Sequence, residues 1–169
     1  MAQTEETAFP RLTSAELALV KPLARPCDYA DGDIVFRAGQ PEIDLYIVES
    51  GRMEIRNPRD GDHVIAVHEQ GQFSGDIDVL TGRPVLVTAT AKGPTRLLCV
   101  PNRQLRALLN RVPTFGEKLI LAFTRRRELL AQMGGLGLRV VGPGRCRATS
   151  TVREFLYKNF VPFLSLIHI

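Results

Sequence analysis

Between Tyr29 and Val100 the chain alternates apolar and polar residues in short runs, most of them closed by a glycine or proline. DIVFRAG, DLYIVESG, RMEIRN, HVIAVHEQG, VLVTATAKG and RLLCVP each read as a strand with a turn signal. Strands this short and evenly spaced predict an antiparallel β-roll or jelly roll. Gly75–Leu80 interrupts the series and is too short for a full helix, so it reads as one helical turn. The flanks have a different period. SAELALVKP (14–22) predicts a short helix capped by Ser14, with Leu17, Leu19 and Val20 on its apolar side. PNRQLRALLNR places Leu105, Leu108 and Leu109 at helical spacing, and Pro113 opens a longer helix in which Phe115, Leu119, Ala122 and Phe123 share a face. Gly134-Gly135 ends it. The fold class is mainly β with flanking helices, over residues 10–132, followed by a linker at 133–137.

After the linker the pattern changes again. LRVVGPG is a strand running into a loop, RATSTVREFLYKN a helix capped by Thr149 or Ser150, and VPF the start of a second strand. Residues 138–163 therefore predict the opening of a β-α-β unit too small to be a domain. The last six residues, LSLIHI (164–169), match the in-frame translation of a transposon adapter common in sequencing libraries. On that reading they are adapter-derived and His168 has no functional role.

Composition narrows the function class. The 169 residues are 44% hydrophobic and 24% charged, ordinary for a globular chain. The net charge of +4 arises entirely beyond Met133, where Arg139, Arg145, Arg147, Arg153 and Lys158 face only Glu154. The rest of the chain is neutral, and Arg125-Arg126-Arg127 points three ways around a helix. The charge pattern thus predicts no DNA partner. No apolar run is long enough to span a bilayer and no signal peptide is evident, so the expectation is a cytoplasmic protein without a membrane partner. Cys27, Cys99 and Cys146 are too few and too far apart for a disulfide framework. His63 and His68 fall on opposite faces of an extended strand, so no metal site is expected, and no catalytic constellation is visible in residues 10–132. Cys99, Met53 and Phe73 read as core.

Four segments, DGDIVFRAGQP, LYIVESGRMEI, EQGQF and SGDIDVLTGRPVLVTATA, resemble in order and spacing the cyclic nucleotide-binding domain of Crp/Fnr-like sensors. The resemblance implies a phosphate-binding cassette. Gly75, Asp76 and Ile77 would form a helical turn with outward N–H groups, and an acidic residue at Asp76 would meet the ribose 2′-hydroxyl. It also implies cyclic AMP or cyclic GMP as a small-molecule ligand. The chain departs from the family at two positions. Aligning Gly75 and Pro84 puts Val85 where the phosphate-pairing arginine belongs and Leu86 where a small residue belongs. Arg83, two residues earlier on an extended segment, is the candidate replacement. Apolar Val85, Leu86 and Val87, which could fill the pocket, favour an alternative of another class, a docking or dimerisation module that binds no nucleotide.

GRCRATSTVREFLYKNFVPF resembles the start of a glutaredoxin-like fold, with Cys146 at a helix N-terminus, where a thiol is acidified. Thr149 stands where a second cysteine would complete C-x-x-C. This order is similar to a multidomain bacterial architecture that continues into a thioredoxin reductase-like domain. It implies a downstream catalytic domain that would bind FAD and NADPH, with no cofactor in the present residues.

Overall fold

A computed structural model of the chain describes residues 7–58, 61–75, 84–132, 138–143, 146–158 and 163–168. The chain divides into two compact units, Met1–Arg125 and Arg126–Ile169.

The first unit begins with helix α1 (Ser14–Val20). Its cap is Thr13 rather than Ser14, because Glu16 lies three residues after Thr13. The Glu16 N–H donates to the Thr13 hydroxyl (3.2 Å), while the Thr13 N–H and hydroxyl donate back to Glu16 Oε2 (2.7 and 2.9 Å). A 3-10 turn (Lys21–Leu23) leads to strands β1 (Arg25–Tyr29), β2 (Ile34–Phe36), β3 (Leu45–Asn57), β4 (His63–His68), β5 (Phe73–Ser74) and β6 (Thr88–Val100). All pair antiparallel, in the order β1-β6-β3-β4, with β2 also on β6 and β5 also on β3. The sheet is not closed. Helices α2 (Asn102–Arg111) and α3 (Pro113–Gln132) follow.

Three expectations need correction. The predicted DLYIVESG and RMEIRN runs form one strand, β3, from Leu45 on, and the predicted VLVTATAKG and RLLCVP runs form one strand, β6, from Thr88 on. Gly51 and Gly93 mark irregularities in a continuous ladder, not turns between strands. Gly51 has φ +82°, and a Cβ there would lie 2.5 Å from Pro94 O. Val85–Val87 precede β6 instead of opening it. β1, whose sequence RPCDY shows no alternation, was not expected as a strand.

The core lies between the sheet and the trailing helices. Leu45, Ile47, Met53, Phe73 and Leu97 of the sheet join Leu105 and Leu108 of α2 and Phe115, Leu119 and Phe123 of α3, all fully buried. Phe73 meets Phe115 edge-on (centroids 5.6 Å) and Phe123 likewise (6.2 Å), a favoured aromatic geometry. Glu16, buried at 7% exposure, receives Lys118 Nζ at 2.8 Å and so ties α1 to α3.

In the second unit β7 (Leu138–Pro143) and β8 (Phe163–His168) pair in parallel, joined through helix α4 (Arg147–Lys158). The helix starts at Arg147, two residues before the expected Thr149 cap. Gly142 is needed where α4 crosses β7, since a Cβ there would sit 2.4 Å from Thr149 Oγ1. Residues 164–168, read from sequence as adapter-derived, lie in β8; apolar runs pair readily as strands whatever their source. No described helix is long and apolar enough to cross a membrane.

Candidate functional site

The cassette of the sequence reading is held by two limbs. The entry limb is the corner Glu69–Gly75. The Gln72 N–H donates to Glu69 O and the Glu69 N–H to the Gln72 side chain, each at 2.9 Å or less. Gly71, at φ +81°, donates to Val48 O (2.9 Å) and accepts from the Leu12 N–H (2.8 Å). Gln72 Nε2 donates to Phe9 O (2.8 Å). The N-terminal segment and β3 therefore both grip this corner. Phe73 and Ser74 then pair with β3, and Gly75 ends the limb at φ +127°, a conformation that favours glycine.

The exit limb is Pro84–Val87. The Val85 N–H donates to Gln40 O (3.0 Å), and the Gly39 N–H donates to Val85 O (2.7 Å). The Ala38 N–H donates to Thr88 Oγ1 (3.2 Å). These bonds fasten the exit limb to the RAGQ turn after β2. They also explain why β6 starts at Thr88: residue 85 pairs with a turn, out of line with the strand.

Asp76, Ile77 and Arg83 lie outside the described residues. Of the remaining candidates, Gly75 is buried at the end of the entry limb, Leu86 is half-buried, and Val85 is 3% exposed within the apolar core. Val85 is therefore a core residue at the position the motif reserves for an arginine. Its side chain has no donor, and its N–H already serves Gln40. Neither group is free to meet an anion.

Phe73 carries more than its reading as core implied. It stands two residues before Gly75 and contacts α3 through Phe115 and Phe123, so it connects the cassette's entry limb to the trailing helix. The sequence placed Phe73 beside the glycine, but its partners, more than forty residues away, are set by tertiary packing.

His63 is exposed and His68 buried, at opposite ends of β4, as their spacing implied. In the second unit Cys146 precedes α4. The backbone N–H groups of Thr149 and Ala148, with the Thr149 hydroxyl, hold its thiol below the ordinary thiol range.

Known proteins match the same region. The family described as cyclic nucleotide-binding domain matches residues 26–112. A Rhodopseudomonas palustris protein described as a potassium channel protein is 33% identical over 112 residues, covering 66% of this chain and 27% of that protein. The CRP-like cAMP-activated global transcriptional regulator of Mycobacterium tuberculosis is 29% identical over 115 residues, covering 67% of this chain and 51% of the regulator. The chain thus spans from about a quarter to about half the length of these relatives. The crystal structure of the Thermus thermophilus catabolite activator protein covers 75% of this chain and 61% of its own, at 25% identity and a TM-score of 0.63. The family match takes in strands β2 to β6, both limbs and α2, and with it the chain belongs to the cyclic nucleotide-binding domain family.

Proposed function

We propose that residues 10–132 are a regulatory sensor for a cyclic nucleotide, cyclic AMP or cyclic GMP, with a degenerate phosphate cassette. The observation that carries this is Val85. Both limbs of the cassette are retained and fastened, yet the position of the phosphate arginine is apolar, buried and has its N–H engaged. Gly75, Asp76 and Ile77 at the helical turn would hold the nucleotide, with Asp76 on the ribose 2′-hydroxyl, Arg83 as the cationic partner of the phosphate, and Leu86 narrowing the entrance. A charge-assisted hydrogen bond contributes about 1.5–3 kcal/mol. Its loss weakens binding by roughly one to two orders of magnitude. Ligand would act by shifting the population of α3 packings through Phe73, Phe115 and Phe123.

Calorimetric titration of cyclic AMP, then cyclic GMP, into the chain and its Arg83→Ala variant tests this. Micromolar binding that Arg83→Ala removes is the expected result. No heat up to millimolar nucleotide would overturn it. The same buried Val85 would then favour the second reading, a docking or homodimerisation module whose pocket is closed by apolar side chains.

The acidified thiol of Cys146 supports a further reading for the second unit: the stub of a glutaredoxin-like segment in a longer redox protein, whose catalytic domain would use FAD and NADPH. The thiol should alkylate at neutral pH faster than free cysteine. An equal or lower rate removes that reading.

A further inference from the structure

Cys27 and Cys99 are 72 residues apart in sequence and adjacent in the sheet. In the β1–β6 ladder Arg25 faces Cys99 and Cys27 faces Leu97. Residues two apart on a strand share a face, so the two cysteines are diagonal neighbours on one side of the sheet. The Cys27 thiol donates to the Arg25 carbonyl (3.9 Å), and Arg25 is the residue directly opposite Cys99. Cys99 is 1% exposed. Cys27 is half-buried on β1, the last strand at one end of the sheet, so solvent and small oxidants reach it first.

We propose that Cys27 and Cys99 form a dithiol modification site that a hydroperoxide closes to a disulfide between β1 and β6. The Cys27 thiolate attacks one peroxide oxygen and the O–O bond breaks. For hydrogen peroxide the products are a Cys27 sulfenic acid and one water. Cys99 sulfur then displaces the sulfenic hydroxyl, an S–S bond forms, and the Cys99 proton leaves with that hydroxyl as a second water. Two thiols lose two electrons and one peroxide gains them. A thiol reductant reverses the change by exchange. Diagonal partners stand at roughly 7–8 Å between Cα atoms. A relaxed bridge has about 5.5–6 Å, so closure shifts β1 along β6 and leaves the bridge readily reduced. The loop it closes contains β2 to β5 and the whole nucleotide cassette.

The test uses the Cys146→Ser protein, which leaves only this pair. After stoichiometric hydrogen peroxide, both thiols should be lost together, and digestion should give a peptide joining Cys27 to Cys99 that dithiothreitol separates. In the Cys146→Ser, Cys99→Ala protein the sulfenic acid should persist on Cys27 and accumulate a dimedone adduct at least tenfold over the protein that retains Cys99. Dimedone labelling of Cys27 equal in both proteins would overturn the proposal, as would oxidation without the linked peptide or a Cys27 thiol that peroxide leaves intact.

Discussion

Glu16 is a carboxylate in a place that should disfavour its charge. Burial works to raise its pKa, but the Lys118 ammonium, the Thr13 N–H and the Thr13 hydroxyl outweigh it and hold the carboxyl below its ordinary 4.5. A carboxyl whose folded pKa is depressed adds stability above the unfolded value, and that stability is lost as pH falls through the folded value. The contribution of Glu16 is therefore complete above about pH 5 and fades below 4.5. Removing Lys118 leaves the buried charge with only neutral donors. Lys118 is one-third exposed, so water screens part of the pair; Lys118→Met should cost about 1–2 kcal/mol at pH 7. In that variant burial prevails, the carboxyl pKa rises, and acidification to pH 3.5 should lose less stability than in the parent. Urea titrations at both pH values measure this. An equal acid loss in the two proteins would show that the pair does not set the Glu16 pKa.

At the scale of elements, what could be read from sequence follows how local each determinant is. The faces of α2 and α3 were legible because 3.6-residue spacing alone selects Leu105, Leu108, Leu109, Phe115, Leu119, Ala122 and Phe123, all buried except Leu109, which is half-buried. The cassette limbs were legible because Gly75 ends one and Pro84 opens the other. The strands were legible in number only in part. Gly51 suggests a turn, but here positive φ serves a bulge: the Thr95 hydroxyl accepts from the Arg52 N–H (3.3 Å) and donates to Arg52 O (2.9 Å), replacing ladder bonds. Whether a glycine breaks a strand or bends it depends on the chain opposite, which no local window contains. β1 was invisible for a similar reason. RPCDY has a proline and no alternation, and becomes a strand because an end position on β6 tolerates both. In the site, Val85 was legible as a departure from the motif, while its bonds to Gly39 and Gln40 and the reach of Phe73 to α3 were not.

At the scale of the molecule, the division into units falls inside α3, between Arg125 and Arg126. Nearly all the buried apolar side chains precede that point; Leu156 is the buried apolar residue described after it. In the second unit Val141 of β7 and Val152, Phe155 and Tyr157 of α4 are each more than 45% exposed, so these elements leave much apolar surface in water. Stability should therefore reside in the first unit. A chain ending at Gln132 should unfold in one cooperative transition, with a midpoint within about 2–4 °C of the full chain, equivalent to about 1 kcal/mol or less. Residues 133–169 alone should show no cooperative transition, since units below about 40 residues rarely fold without a staple or partner. Thermal unfolding followed by circular dichroism decides between these outcomes. If the shorter chain melted 10 °C or more below the parent, stability would not reside in the first unit alone. The cassette would then have to be understood with the second unit in place, and nucleotide titrations of the shortened chain could not stand for the whole.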